Sequence, residues 1–509
     1  MHLADLVAAL QPAAVTGALE GEVTRVVHDS RQAGPDAGPD VVFVAIRGAH
    51  SDGRRFVPGL RVAAVIADAP VQAEPGVPVI QVTNARRALA QAAALLAGQP
   101  STRLPVIGIT GTNGKTTVSF MLEAIAVAAG GTAGVIGTTG HRVAGVGVPT
   151  QHTTPEAPTI QALLARMADA GCALAAVEVS SIGLSMHRVD GTRFAAAVFT
   201  SFSQDHLDFH GSMEAYLQAK LRLFSELLAP EGTAVIWGPD PVADRVAAAA
   251  GARRVWRYGR AETAEEARGL DLVATDVRLG LDGAEAQVRT PMGEGELHLK
   301  LAGAHNVDNA LGALGAALAV GIPLDRALAG LAGLRAVPGR LEPVPDPAGV
   351  RTVLVDYAHT PDALARTLAT LRSLGPRRLL LVMGCGGDRD RGKRPAMGQV
   401  AVEGADHTWV TSDNPRSEDP AAIIAEILAG VPAALRTRLE GQAQLEVQLD
   451  RARAITAAVA AAGPGDTLLI AGKGHETTQT IGDQVLPFDD REVAAAALAA
   501  HPPAPGARP

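Results

Sequence analysis

Only two cysteines, Cys172 and Cys385, occur in the 509 residues, so neither a disulfide framework nor a zinc ribbon is available. Positive charge is not in excess either. A net charge of −8 and a pI near 6.0 exclude a protein built to coat nucleic acid. Long hydrophobic runs are missing: the longest apolar stretch, 309–324, is Gly-rich and short of a membrane span. The opening Met1-His2-Leu3-Ala4-Asp5-Leu6 lacks the basic region of a signal peptide. The expectation from these absences is a cytoplasmic protein with no membrane or nucleic-acid partner. What is present is an ordinary globular balance, 47% hydrophobic and 19% charged. The length is too great for one core and suggests about three domains.

The most informative stretch is Gly108-Ile109-Thr110-Gly111-Thr112-Asn113-Gly114-Lys115-Thr116-Thr117. An apolar strand (Val106, Ile107, Ile109) runs into a Gly-rich turn, and 118–127 continues with helical spacing. Backbone N–H groups in such a turn point inward and the helix start adds positive potential, which suits a polyphosphate. Lys115 would neutralise the outer phosphates and the Thr116 hydroxyl would hold Mg²⁺. The strict signature wants Gly five residues before Gly114, where this chain has Ile109. The reading is an ATP or GTP site of a less common branch.

Before this motif, 3–10 reads as a short helix and 23–27, 41–46, 63–67 and 79–82 as strands. Two polar segments, 28–31 and 48–55, interrupt them. Their arginines and hydroxyls could grip a phosphorylated ligand, although solvated turns would look much the same. A helix at 88–96 and a linker at 98–103 follow.

After it, strands and helices alternate, which predicts a mainly parallel sheet with helices on both faces. The strand at 175–179 carries Glu178 and ends at Ser180-Ser181. The strand at 195–200 runs into Ser201 to His210, a segment dense in metal-capable groups. Glu178 and His206 could both reach a metal held by phosphates at the Gly-rich turn. In a helix at 213–228 the apolar stripe is Met213, Leu217, Leu221, Phe224, Leu228, and Lys220 falls beside it. A snorkelling lysine is the ordinary reading. If the amine is buried, desolvation favours its neutral form, which can add carbon dioxide to give a carbamate ligand for a metal. Asn306, in the segment 303–309, could bond a nucleotide or cap the next helix. A boundary follows at 337–342, with Pro343, Pro345 and Pro347 making a stiff connection.

Beyond it, strands at 352–355, 379–383, 408–411 and 468–471 each end in a polar loop: 356–362, 384–390, 412–417 and 472–476. In a doubly wound sheet these four loops would converge on one site. Thr360-Pro361-Asp362 has the residues of a helix start. Dinucleotide binding is disfavoured because Gly384-Cys385-Gly386-Gly387 lacks the G-x-G-x-x-G spacing. The stretch 421–462 reads as packing helices with an intervening strand and no chemistry. The Pro-rich tail 502–509 is expected to be disordered.

Taken together, these motifs resemble the Mur ligase family of ATP-dependent amide-forming enzymes. The resemblance rests on TGTNGKTT at 110–117, EVSS at 178–181, DHLDFHG at 205–211, GAHNVDNA at 303–310, PGRLE at 338–342 and DYAHTPDAL at 356–364. Within the family, GGDRDRGKRP, DNPR at 413–416 and GKGHE imply addition of meso-2,6-diaminopimelate to UDP-N-acetylmuramoyl-L-alanyl-D-glutamate through an acyl phosphate. The implied fold is three α/β domains. These are a UDP-substrate domain (1–100), a central P-loop parallel-sheet ATPase domain (101–336) and a C-terminal Rossmann-like amino-acid domain (337–501), followed by the tail.

The resemblance also implies roles. ATP would meet Gly111, Thr112, Asn113, Gly114, Lys115, Thr116, Thr117, Asn306, Arg340 and Asp356. Mg²⁺ would be held by Thr116, Glu178, His206 and Lys220 as a carbamate, with Lys115, Lys220 and His206 as the catalytic set. The UDP-substrate would lie on His28, Ser30, Ala49, His50, Ser51, His152, Thr153, Thr154, Ser180, Met186 and Arg188. Met186 and His152 stand where related enzymes often place polar amides. Diaminopimelate would be held by Arg389, Asp413, Asn414, Pro415, Arg416, Gly472 and Glu476. The planar guanidinium of Arg416 suits the distal carboxylate that distinguishes diaminopimelate from lysine. A monomer is expected. The alternatives are a sister ligase adding L-lysine, a folate polyglutamate ligase, and a non-catalytic P-loop switch.

Overall fold

The computed structural model describes residues 1–34, 38–48, 51–150, 152–280 and 283–502. Ala49, His50 and residues 503–509 of the expected tail lie outside them. The described chain is α/β throughout and forms three main sheets in sequence order. The first has five strands in the order Ala14–Thr16, Val79–Gln81, Ala64–Ala67, Val41–Ala45, Arg25–Val27, all parallel except the first. Alternate residues of Val41–Ala45 serve two cores. Val42 and Val44 pack with the helices Leu3–Leu10 and Ala85–Leu96, whereas Val41 and Phe43 pack beneath the loops that follow the strands. The edge strand Ala14–Thr16 was not expected; its three residues are exposed and carry no burial pattern.

The central sheet has eleven strands. Val106–Thr110 lies between Leu174–Glu178 and Phe194–Phe199, parallel to both. All five residues of Val106–Thr110 are buried, as expected of a parallel strand covered on both faces. Ile107 and Ile109 face the helices Lys115–Ala128 and Ala304–Ala319, while Val106 faces the opposite core. Register pairs Ile109 with Glu178 and Thr110 with Phe199, so these three strands end level. An antiparallel meander, Leu272–Gly280, Gly283–Thr290 and Gly293–Leu299, extends one side of the sheet.

Two expectations need correction. The helix expected over 213–228 stops at Arg222, makes one π-turn at Leu223–Leu227, and Leu228 already belongs to a strand. Pairing of Leu228 with Phe194 in the sheet outweighs helical continuation there. The stiff connection expected at 343–347 begins as the edge strand Glu342–Val344, antiparallel to Thr352–Asp356. Proline is tolerated at an edge because the missing N–H costs no ladder bond.

The third sheet runs Glu342–Val344, Thr352–Asp356, Thr467–Ala471, Leu379–Met383, His407–Thr411, Leu445–Gln448, and is parallel after its first strand. Register sets Asp356 against Ala471 and Met383 against Val410, which brings four loop-bearing strand ends to one edge. Thr360 caps the next helix by accepting from the Ala363 N–H.

Candidate active site

The glycines of the P-loop are required by contact as well as by conformation. Gly111 and Gly114 have φ of 148° and 88°, and a Cβ on either would overlap Thr200 or Asn309 respectively. The Thr200 hydroxyl donates to the Asn113 carbonyl and the Thr112 N–H donates to the Ser201 carbonyl (2.8 Å), which clamps the turn to the neighbouring strand end. Lys115 folds back to donate to the carbonyls of Gly111 (2.8 Å) and Thr112 (2.9 Å). Burial lowers its pKa, opposed by the charges of Glu178 and Asp205.

Lys220 is 1% exposed and donates to the same Gly111 carbonyl, at 2.9 Å. Its Nζ lies 4.4 Å from the centre of the Tyr216 ring. Burial, and then the charge of Lys115, push its pKa well below the ordinary lysine range. The snorkelling reading therefore fails: the amine lies inside, beneath the P-loop.

Glu178 is completely buried. It accepts from Thr116 Oγ1 (3.0 Å), Thr138 N–H (3.1 Å) and Thr138 Oγ1 (2.9 Å). Thr116 in turn accepts from Arg340 Nη2 at 3.3 Å, which joins the two larger domains. Asp362 makes a second link by accepting from Asn113 Nδ2 (3.2 Å) and Ser203 Oγ (3.1 Å). His206 has a backbone φ of 54°, and its ring lies 3.5 Å from Asp205. Burial lowers its pKa, opposed by Asp205.

Of the residues expected to hold a metal, Thr116 and Glu178 are in contact, and all four line one cleft. Among the described residues no hydrogen bond joins Lys220 or His206 to that pair, and no group of three or more His, Cys, Asp or Glu is gathered as for a metal. The Thr116 and Glu178 oxygens are nevertheless the hard donors that Mg²⁺ takes.

Asn306 lies inside the helix Ala304–Ala319, whose N-cap is Gly303, so it is not a cap. Its amide donates to the Ala302 carbonyl (2.8 Å) and its oxygen accepts from Asn309 (3.2 Å). Asp356 accepts the backbone N–H groups of Leu341 (2.7 Å) and Ala358 (2.8 Å). Burial raises its pKa, opposed by Arg340. Both residues line the same cleft, as does Tyr357, whose ring lies 4.7 Å from the Arg340 guanidinium.

Thr153 and Ser180 continue the cleft wall toward the N-terminal domain. Thr154 Oγ1 donates to the Glu178 carbonyl (2.8 Å) and accepts from Ser180 N–H (3.0 Å). Arg188 donates to Glu156 (2.9 Å) and to the Thr154 carbonyl (2.9 Å). Arg86, from the first domain, meets the same Glu156 at 3.6 Å, and these charges lie close to His28. Ser30 opens the short turn Ser30–Gln32, Met186 caps the short helix Ser181–Ser185, and Ser51 and His152 are exposed.

In the third domain, Asn414 Nδ2 donates to Glu476 at 2.7 Å and to Asp413 at 3.1 Å. Burial raises the Asp413 pKa, opposed by Arg451 and Lys473. Gly472 has φ of 117° and packs directly on the Asp413 carboxylate, while Pro415 is buried. Arg416 holds a left-handed backbone, φ 51°, stabilised by its N–H to the Thr480 carbonyl (3.0 Å). Its guanidinium is half-buried and donates to the Gly387 carbonyl at 2.7 Å. Burial, then the charge of Arg389, lowers its pKa. Arg389 is exposed and donates to the Asp388 carbonyl (3.0 Å).

Sequence reasoning missed three groups. Thr138 is one, although its place after the parallel strand Ala133–Ile136 was a usable signal. Lys473 is another: fully buried, it donates to Thr478 O (2.6 Å), Glu476 (3.2 Å) and Asn414 (3.3 Å). The third is Arg451, inside the stretch that was given no chemistry.

A Gly-rich phosphate cradle under one domain, capped by an arginine of the next and followed by a third loop cluster, defines a multidomain P-loop enzyme. Comparison with known proteins sharpens this class. The Mur ligase middle domain matches residues 109–317, and the Mur ligase, glutamate ligase domain matches residues 339–474. The UDP-N-acetylmuramoyl-L-alanyl-D-glutamate–2,6-diaminopimelate ligase of Geobacter sulfurreducens is 42% identical, over 98% of this chain and 99% of its own. The ligase of the same name from Gloeobacter violaceus is 43% identical over 94% of each chain. A solved structure of a ligase so named has a TM-score of 0.69 at 31% identity and covers 98% of this chain and 99% of that one. The Mycobacterium tuberculosis folylpolyglutamate synthase shares the fold, with a TM-score of 0.60 at 23% identity over 75% of this chain and 91% of its own. The chain belongs to the Mur ligase family. It is an ATP-dependent, amide-bond-forming ligase.

Proposed function

We propose that the chain joins meso-2,6-diaminopimelate to the D-glutamyl carboxylate of UDP-N-acetylmuramoyl-L-alanyl-D-glutamate, in cytoplasmic peptidoglycan precursor synthesis. The near full-length relatives of that name support the reading. The observation within the chain that supports it is one phosphate-suited cleft, lined by Lys115, Thr116 and Arg340, together with a second loop cluster in which Asn414 is bonded to Glu476 and Arg416 to the Gly387 carbonyl.

A free carboxylate is a poor acyl donor, so the carboxylate attacks the γ-phosphate of ATP to give an acyl phosphate and ADP. The diaminopimelate amine then attacks that carbonyl, and phosphate leaves. Lys115 neutralises the transferring phosphoryl oxygens, and the P-loop N–H groups align them. Mg²⁺ held by Thr116 and Glu178 would supply further charge neutralisation. His206 and a carbamylated Lys220 are proposed as its remaining ligands. Arg340, contacting Thr116, brings the third domain against the nucleotide so that the acceptor meets the acyl phosphate out of water. Thr153, Thr154, Ser180 and Arg188 would hold the muramoyl-peptide, and His28, Ser30 and Ser51 the uridine nucleotide. The ranges 1–100, 101–336 and 337–501 are proposed as the working domains, in a monomer. Among the described residues no single helix is long and apolar enough to cross a membrane.

The test is ADP release dependent on the added amino acid, measured with diaminopimelate and with L-lysine. Strong preference for diaminopimelate is expected. Equal rates with the two, or nucleotide binding without acceptor-dependent turnover, would overturn the assignment.

A further inference from the structure

Arg451 and Asp490 form an ion pair in which neither side chain has any solvent exposure. The pair is bidentate, with Nε and Nη2 of Arg451 each 2.7 Å from a carboxylate oxygen. Neither residue belongs to a ligand-facing motif. Arg451 opens the helix Arg451–Ala461 and Asp490 opens the helix Asp490–Ala500, and the two helices pack against one side of the third sheet.

The remaining donors of Arg451 explain the arrangement. Nη2 donates to the carbonyl of Ala471 (3.0 Å) and Nη1 reaches that of Ser412 (3.4 Å). Ala471 is the last residue of Thr467–Ala471, and Ser412 follows the last residue of His407–Thr411. These strands are not neighbours; Leu379–Met383 lies between them. One guanidinium therefore spans the width of three strands at the edge where the loops depart. A buried backbone carbonyl needs a donor, and where a strand ends the sheet ladder need not supply one. A planar group with five N–H donors can serve two of them and a carboxylate together.

We propose that the Arg451–Asp490 pair is a positioning device for the amino-acid acceptor, which fixes the two strand ends from which Asp413 to Arg416 and Gly472 to Glu476 enter the site. This rests on the acceptor reading of those loops given above. Lys473 braces the same loops at their rim, between Asn414 and Glu476. A buried ion pair is weak evidence for stability, since apolar residues of like volume often replace one without loss. What such a replacement cannot supply is directional donors for the carbonyls of Ser412 and Ala471.

The experiment compares the unmutated enzyme with the paired variant Arg451→Met/Asp490→Leu and with Arg451→Lys. Acceptor-dependent ADP release is measured with each substrate varied, and hydrogen exchange of 412–417 and 472–476 is followed. The paired variant is expected to fold, to raise the diaminopimelate KM about 10- to 100-fold, to leave the ATP KM within about twofold, and to exchange faster in both loops. Arg451→Lys, which keeps the charge but only one point of donation, is expected to fall between; it carries the test if the paired variant does not fold. An unchanged diaminopimelate KM with unchanged loop exchange, or equal rises in all substrate KM values, would overturn the proposal. Failure of the unmutated enzyme to use diaminopimelate would instead defeat the acceptor reading, and loop exchange alone would then decide whether the pair positions these strand ends.

Discussion

Two buried lysines, Lys220 beneath the P-loop and Lys473 among the loops proposed to hold the acceptor, bring out the difference between the two loop clusters. Lys473 meets a carboxylate, Glu476, at 3.2 Å, together with Asn414 and the Thr478 carbonyl, so its charge is matched and its three donors are used. Lys220 meets one carbonyl and an aromatic face, and among the described residues no carboxylate pairs with it. Burial and the nearby charge of Lys115 favour its neutral amine. The same side chain thus braces two loops in one cluster, and in the other it lies buried without a carboxylate in contact among the described residues. Burial alone does not distinguish them; the partner does.

The largest effect expected on this contrast is at the nucleotide cleft. Lys115→Met should cut turnover by at least about 10²–10³, as for loss of one preorganised charge stabiliser, with the diaminopimelate KM little changed; steady-state ADP release measures both. Next is Arg416→Ala, at the acceptor end. It should lower kcat/KM for diaminopimelate by about 2–5 kcal/mol while the ATP KM is preserved, and an equal loss for ATP would place Arg416 outside the acceptor site.

The two lysines can then be set against each other. Enzyme freed of dissolved carbon dioxide should lose most of its activity and regain it with bicarbonate. That response should vanish in Lys220→Arg and persist, at reduced rate, in Lys473→Met. Mass spectrometry under conditions that preserve carbamates gives the independent check. Bicarbonate dependence in Lys220→Arg would remove the carbamate from the account.

The smallest expected effect concerns stability, away from both clusters. Burial raises the Asp346 carboxyl pKa, but Arg351 and the backbone N–H groups of Arg351, Ala348 and Val350 outweigh this and hold it at about 2, below the ordinary 3.8. Because the folded value is depressed, the stabilisation is complete above about 3.8 and is lost as pH falls toward 2. Asp346→Asn should be less stable near neutrality. The gap between the two proteins, read by denaturant unfolding, should close through that window.

The legible part of the site was the part carried on contiguous motifs. Thr116, Glu178 and Arg340 each sit in a short run whose spacing announces them, and the structure joins them in one hydrogen-bonded chain. Arg451 and Asp490 were silent because their meaning lies in a contact across 39 positions, from the first residues of two ordinary alanine-rich helices. Thr138 was overlooked for a related reason: its hydroxyl matters only once its strand end is set beside that of Glu178. Leu228 shows the same limit in the fold. Its helical spacing was sound, and pairing with Phe194 overrode it.

By itself the sequence determined the alternation of strands and helices, the glycines that the P-loop turn requires, and the loops in which reactive side chains are carried. These follow from backbone preferences and side-chain periodicity, which act over a few residues. Only the tertiary structure decided which lysine has a carboxylate, which arginine supports two strand ends, and which threonine completes the shell of Glu178. Those outcomes depend on dehydration and on the charges that packing brings near, and both are set by residues far away in the chain.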